Sequence, residues 1–330
     1  MTVGPKRGER ISVVIPVRNE ALNIRSCIEG ILGQTVAVDE ILVLDSGSTD
    51  GTLDLLLGYR KVRVLAIKSE EFSHGETRNT GVRAARGDWV VLTVGDARPA
   101  DEYWIEHLFE GVTDGQVAGV CGSQIVPHDR GNNPVEWFRP VSEPVVERIQ
   151  FSSHADFDLL SPSERQRVCA WDDVTAMYRR DVLLRTPFPA VQYGEDTLWA
   201  KEALRAGHAL VYNPAARVFH HHYETPDFAF KRALATMYNR YRSVGYLPEE
   251  PAMFIPVARA VVQLVREPSI TWKERVHWAT YTVRNRLSNR SAVRQFRREL
   301  TKGEGFLDAL HERYCSLPPV PAKTRLTQRP

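Results

Sequence analysis

At 330 residues, with 43% hydrophobic and 25% charged side chains, the chain has an ordinary globular composition, long enough for one large α/β domain plus an appendage or for two modest domains. Its four cysteines, Cys27, Cys121, Cys169 and Cys315, are far apart and form no C-x-x-C pair, which excludes a disulfide framework or zinc site and points to buried or free thiols in a reducing compartment. The net charge of +2 is unevenly spread: residues 1–230 carry 24 basic against 33 acidic side chains, and residues 231–330 carry 19 against 8.

In chain order, the polar and basic stretch from Met1 to Arg10 has no apolar core and does not read as a secretion signal. Ile11–Val17 (ISVVIPV) reads as a buried strand. Asn19 is placed to cap a helix over Glu20–Gln34 with Leu22, Ile24, Ile28 and Ile31 inward. Glu40–Leu44 is the second strand and runs into Asp45-Ser-Gly-Ser-Thr-Asp-Gly51; Asp54–Tyr59 is a short helix, and Val62–Ile67 the third strand. A helix over His74–Arg86 leads to a fourth strand, Asp88–Val94, which ends at Gly95-Asp96-Ala97. Val117–Val126 is a further strand, and His128–Pro144, rich in Pro, Gly and Asn, a long loop. Trp171–Tyr178 and Asp181–Arg185 suggest a strand or turn leading into a helix. Gly194–Ala206 is a helix opened by Glu195 and Asp196, and the strand Ala209–Tyr212 precedes His220-His-His222. This alternation predicts βαβ units and a largely parallel sheet. From Phe228 onward only helices are expected, over Phe228–Val244, Phe254–Arg266, Thr271–Leu287 and Ser291–Leu310, with Pro318–Pro330 a disordered tail. No stretch reaches the roughly 18 apolar residues of a membrane span.

In open α/β sheets ligands bind outside the carboxyl ends of the strands. Glu20, Asp45 and Asp96 fall at those ends; each alone would suit a turn or cap, but the three together mark one edge. There is no G-x-G-x-x-G after the first strand and no G-x-x-x-x-G-K-[ST] anywhere, so phosphates are not expected at a glycine-rich helix N-terminus. A divalent metal on carboxylates, Mn²⁺ or Mg²⁺, is the substitute that a diphosphate's hard oxygens suit.

The segments IPVRNE (Ile15–Glu20), LDSGSTDGT (Leu44–Thr52), FSHGETRNTG (Phe72–Gly81), GDWVVLTVGDARPAD (Gly87–Asp101) and YGEDTLWAKEALRAGH (Tyr193–His208) resemble family 2 glycosyltransferases of GT-A fold over about residues 10–245. H-G-x-T-R-N, D-A-x-P and H-x-H in combination are similar to the bacterial rhamnosyltransferases of that family. The resemblance implies an inverting transfer from a nucleoside diphosphate sugar to a saccharide or lipid-linked saccharide acceptor in cell-surface polysaccharide or glycoconjugate synthesis. It implies that Pro16, Asn19 and Glu20 line the nucleoside pocket, that Asp45 reaches the base or ribose, and that Arg78 faces the donor. Asp96, with His220 and His222, would hold the metal. Asp196 would be the general base, and Trp171, Asp172, Asp173 and Glu195 would stand next to donor sugar or acceptor. Ser46 follows Asp45 where many relatives have a second acid, and Asp96 is a single carboxylate where many have two; rhamnosyltransferase-like members share this D-A form and imply a thymidine diphosphate donor.

These readings divide the chain into a catalytic domain over residues 1–230 and a basic helical region over 231–330. Phe228, Phe230, Leu234, Met237, Tyr238 and Tyr241 fall on about one helical face. That face can pack on the catalytic domain, meet an anionic membrane surface, or form an oligomer contact. The expected location is cytoplasmic, peripheral on the membrane's inner face, with no nucleic acid partner. Two other functions fit an α/β nucleotide site: a nucleotidyltransferase, which needs an early glycine- and lysine-rich loop that Val17–Leu22 lacks, and an inactive saccharide- or nucleotide-binding scaffold.

Overall fold

A computed structural model describes residues 4–129, 131–138, 145–191 and 193–315. Among the described residues nine strands form one mixed sheet: β1 Ile11–Val17, β2 Glu40–Asp45, β3 Val62–Ala66, β4 Trp89–Leu92, β5 Arg98–Pro99, β6 Val117–Ile125, β7 Glu147–Ile149, β8 Ala176–Arg179 and β9 Ala209–Phe219. Their order is β3-β2-β1-β4-β8-β6-β9-β5, with β7 also paired to β9. The β3-β2-β1-β4 half is parallel, as the alternating pattern predicts, and so is the β6–β9 pair. Between them β8 runs antiparallel to both neighbours, and β5 and β7 run antiparallel to β9.

Strands β1, β2 and β4 are buried on both faces, which is why β1 and β2 read as continuous apolar runs, while the edge strand β3 is half-exposed. Ile11, Val13 and Ile15 face the cluster that includes Ile24, Ile28 and Ile31 of the helix Ile24–Leu32 and Trp104 and Leu108 of the helix Trp104–Glu110. The helix His74–Ala84 packs against β1 and β2.

Several boundaries differ from the sequence reading. The first helix begins at Ile24 rather than Glu20, with Asn23 before it, so Asn19 is not its cap and Leu22 is 56% exposed rather than inward. Asn19 and Glu20 are instead drawn into side-chain bonds with the loop after β2. The helices Trp104–Glu110, His154–Asp158 and Pro162–Val168, and strands β5 and β7, have no counterpart in the sequence reading; each is too short to set up a period. Strand β9 continues to Phe219 rather than stopping at Tyr212.

The chain separates into two compact units, one of Met1–Ile125 with Pro140–His220 and one of Val126–Arg139 with His221–Pro330. In the second unit the helices are Pro226–Val244, Phe254–Arg266, Trp272–Leu300 and Glu304–Cys315. The two helices expected over Thr271–Leu287 and Ser291–Leu310 divide elsewhere. Ser288-Asn289-Arg290 contains no Gly or Pro to break the run, and the break comes near Gly303, whose φ is +120°. Thr271 and Glu274 close a capping box at the start of the long helix. The aromatic stripe packs within this unit: Phe228, Leu234 and Met237 are buried, Tyr238 stacks on His311 and Tyr241 meets Phe296 edge-on. The expected loop His128–Pro144 is described only in part, and the expected tail Pro318–Pro330 lies outside the described residues.

Candidate active site

The carboxyl ends of β1, β2 and β4 carry the first group of expected residues. Pro16 stands in β1 in register with Leu44 of β2. Beyond β1, Asn19 adopts a left-handed φ of 56°, a conformation Asn tolerates better than most residues. Its Oδ1 accepts from the Thr49 amide at 2.8 Å while its own amide donates to Ser48 Oγ at 2.8 Å. The next amides, of Glu20 and Ala21, donate to Thr52 Oγ1 and Asp50 Oδ2. The loops after β1 and β2 are thus laced together by alternating backbone and side-chain bonds. Asp45 is buried, and its carboxylate accepts from the Gly47 and Ser48 amides, which fixes the turn. Glu20 is also buried, and Gly95 permits its approach: a Cβ on Gly95 would lie 2.8 Å from Glu20 Cγ.

Asp96 follows Gly95 in the turn after β4. One ligand atom each from Asp96, His220 and His222 fall within 4.8 Å of one another, a geometry that can hold a metal ion. His220 Nε2 lies 3.5 Å from Asp96 Oδ1. His221, between the two histidines in sequence, pairs instead with Glu136 at 3.5 Å, as alternation along an extended segment predicts. The four cysteines are free and buried and take no part in the cluster.

The remaining residues converge on Arg78, which is 4% exposed on the helix His74–Ala84. Its NH1 bonds to Glu195, and its Nε forms an ion pair with Asp173 Oδ2 at 3.2 Å without the alignment of a hydrogen bond. Glu195 and Asp196 open the helix Glu195–Arg205, reached through Gly194 at φ +83°, a conformation that suits glycine and turns the chain sharply into the helix. Asp173 also accepts from the Tyr178 hydroxyl, which in turn accepts from Trp171 Nε1–H at 2.6 Å. Trp171 is 8% exposed and packs beside Tyr178 and Trp199, so its indole presents little face to a sugar; it orders the turn that carries Asp172 and Asp173.

Electrostatically this cluster has more acid than base. Burial pushes the Asp173 carboxyl up to about 7 against the pull of Arg78. Burial, then the neighbouring Glu195 and Asp173, push Asp196 well above the ordinary carboxylate range. For Arg78, burial alone would lower the guanidinium, but Glu195 and Asp173 hold it charged. A carboxyl raised in this way is suited to take a proton near neutral pH.

Two connecting residues carry no signal in the sequence. Tyr178 lies inside β8 and reads as core. Gln124, near the end of β6, bonds to both His220 and Asp172, at 2.6 Å each, and so joins the Asp96 cluster to the turn that carries Asp173. A single glutamine in a strand gives no local signal.

Comparison with known proteins gives the family and the fold. Residues 12–184 match the family described as Glycosyl transferase family 2. The chain is 30% identical over 234 residues to the O-antigen chain rhamnosyltransferase RfbN of Salmonella typhimurium, covering 69% of this chain and 71% of that protein. It is 28% identical over 210 residues to the O-antigen chain rhamnosyltransferase WbaN of Salmonella anatum, covering 62% of this chain and 63% of that one. In fold it is similar to the mannosyltransferase PcManGT of Pyrobaculum calidifontis, solved with GDP-Man and Mn²⁺. That likeness has a TM-score of 0.54 at 17% identity and covers 87% of this chain and 88% of that one. The sheet with its flanking helices is the GT-A fold, and the chain belongs to glycosyltransferase family 2.

Proposed function

We propose that this glycosyltransferase moves a sugar, with inversion, from a nucleoside diphosphate donor to a hydroxyl of a saccharide or lipid-linked saccharide acceptor in surface polysaccharide synthesis. The observation that carries the reading is the Asp96–His220–His222 cluster at the carboxyl end of the sheet, joined through Gln124 and Asp172 to the acidic cluster around Asp196. Rhamnose is the proposed sugar and thymidine diphosphate the proposed leaving group. The support is the single-acid D-A form after β4 and the likeness to RfbN and WbaN.

In this reading Asp196 accepts the proton of the acceptor hydroxyl as its oxygen attacks the anomeric carbon. The new C–O bond forms on the face opposite the departing diphosphate, which takes the electron pair of the broken bond. Arg78, expected to face the donor, pairs with Asp173 and Glu195 and fixes the start of the helix that presents Asp196. Asn19, Glu20 and Asp45 form the nucleoside wall. Asp96, His220 and His222 would hold a divalent cation whose positive charge neutralises that developing on the diphosphate. One carboxylate with two imidazoles is a borderline donor set that suits Mn²⁺ better than Mg²⁺, which prefers oxygen.

The acceptor end of the reading includes an anionic membrane surface. Among the described residues no helix is long and apolar enough to cross a membrane. Phe254, Ile255, Val262 and Val265 of the helix Phe254–Arg266 are 47–90% exposed, and Trp272 beyond it is 68% exposed. Arg259 and Arg266 are the helix's only charges, while Ala260 and Leu264 turn inward. An apolar face whose helix carries two arginines and no acid, with Glu267 just past its end, suits a helix lying in an anionic lipid interface, where a lipid-linked acceptor resides. The test of the main reading is to incubate the enzyme with thymidine, uridine and guanosine diphosphate sugars and an acceptor glycan, with Mn²⁺ or chelator, and to determine the product linkage by NMR. A retained anomeric configuration, or equal turnover in chelator, would overturn it.

A further inference from the structure

We propose that Gln124 is a positioning residue that sets the tautomer of His220, and that Asp172 holds Gln124 in the orientation this requires. The inference rests on the metal reading above but is separable from it by experiment. A carboxylate of Asp172 only accepts hydrogen bonds. Gln124 approaches its Oδ2 at 2.6 Å, so the group facing Asp172 is the amide Nε2, a donor; the flipped amide would set two acceptor oxygens against each other. With Nε2 committed to Asp172, the carbonyl Oε1 faces His220 Nδ1, also at 2.6 Å.

An amide oxygen carries no hydrogen, so the proton in that contact belongs to Nδ1. A neutral imidazole protonated at Nδ1 has its lone pair on Nε2. Nε2 is the nitrogen 3.5 Å from Asp96 Oδ1, inside the Asp96–His220–His222 cluster. The opposite tautomer would turn an N–H into the cluster and bar His220 from ligating. The backbone supports the same alignment. Gln124 is in register with Val218 on β9, and the His220 amide donates to the Ile125 carbonyl at 3.2 Å, which keeps His220, just past β9, against the end of β6. Asp172 is thereby assigned to the relay behind the ligand.

The experiment uses the full chain with Gln124→Leu, Gln124→Glu and the double variant Gln124→Glu/Asp172→Asn, thermal melts confirming that each folds. Two readouts are taken: Mn²⁺ affinity by titration calorimetry without donor, and the ¹⁵N shifts of His220 without metal, assigned with a His220→Gln variant. Gln124→Leu is expected to lose about 10–100-fold in Mn²⁺ affinity, the usual cost of removing a group behind a metal ligand, and to lose the Nδ1–H signature. Gln124→Glu alone sets its new carboxylate against that of Asp172 and is expected to lose affinity as well. The double variant is expected to recover both readouts, because the carboxylate introduced on β6 accepts from His220 while the amide introduced in the turn donates to that carboxylate. Unchanged affinity and an unchanged tautomer in Gln124→Leu overturn the inference. If the wild-type chain binds no Mn²⁺, the metal reading fails, and the ¹⁵N shifts still decide the tautomer.

Discussion

Arg78 and Asp173 form an ion pair at 3.2 Å with side chains only 5% and 3% exposed, between the helix His74–Ala84 and the turn before β8. Glu195 shares the same guanidinium. Removing one partner of a buried pair strands the other, at a cost of about 3–5 kcal/mol. Arg78→Met is therefore expected to destabilise the fold by about that amount, read from urea unfolding, because it strands two carboxylates at once. A loss under about 1 kcal/mol would mean that water reaches the cluster.

Asp173 gives stability a distinctive pH dependence. Its carboxyl is held up to about 7 in the folded chain, against about 4 when unfolded. Between those values the folded chain retains a proton that the unfolded chain has released, so this group's contribution is fully present below about pH 4 and is lost as pH rises through 7. Asp173→Asn has no such loss. Its melting temperature relative to wild type is expected to rise from about pH 5 to about pH 8, and a flat difference would refute the assignment.

Much of this site is legible in the sequence because its residues sit at the ends of long apolar strands. Asp45 and Asp96 stand out by where β2 and β4 stop, and His220 and His222 by their alternation after β9. What cannot be read is pairing between distant segments. Nothing local to Ala176–Arg179 says that β8 inserts antiparallel between β4 and β6, and nothing local to Gln124 says that its partners are Asp172 and His220. The burial of Arg78 is likewise hidden, since its partners lie about a hundred residues on.

Asp196→Asn is expected to keep donor binding and lower turnover by about two to four powers of ten, as loss of a general base does. In the wild type, kcat/KM should fall on the acid side with a midpoint above the ordinary carboxylate range, because burial and then Glu195 and Asp173 raise Asp196. Such a midpoint belongs to the coupled group of acids rather than to one residue. Near-normal turnover in the variant would remove Asp196 from the chemistry.

Asp96→Ala is expected to reduce thymidine diphosphate affinity in Mn²⁺ to the value measured in chelator, while leaving that chelator value unchanged. Calorimetry on both proteins makes the comparison. Equal affinity of variant and wild type in Mn²⁺ would reduce Asp96 to a turn residue.

Flotation with vesicles tests the membrane face. Binding is expected to rise with anionic lipid content, to fall as salt shortens the screening length to about 8–10 Å, and to be lost in Val262→Glu/Val265→Glu. Failure of the intact chain to float at low salt, or assembly of two copies through this face in analytical ultracentrifugation, would overturn the reading.

The loops after β1 and β2 are ordered by their own bonds before any ligand arrives. Asn19, Glu20, Ala21 and Thr49 each donate a backbone amide to a side chain of the loops themselves. Fixing a backbone costs about 1–2 kcal/mol of conformational entropy per residue, and here that cost is met when the chain folds. If these loops form the nucleoside wall proposed above, binding energy would be left for discrimination between bases rather than for ordering the protein.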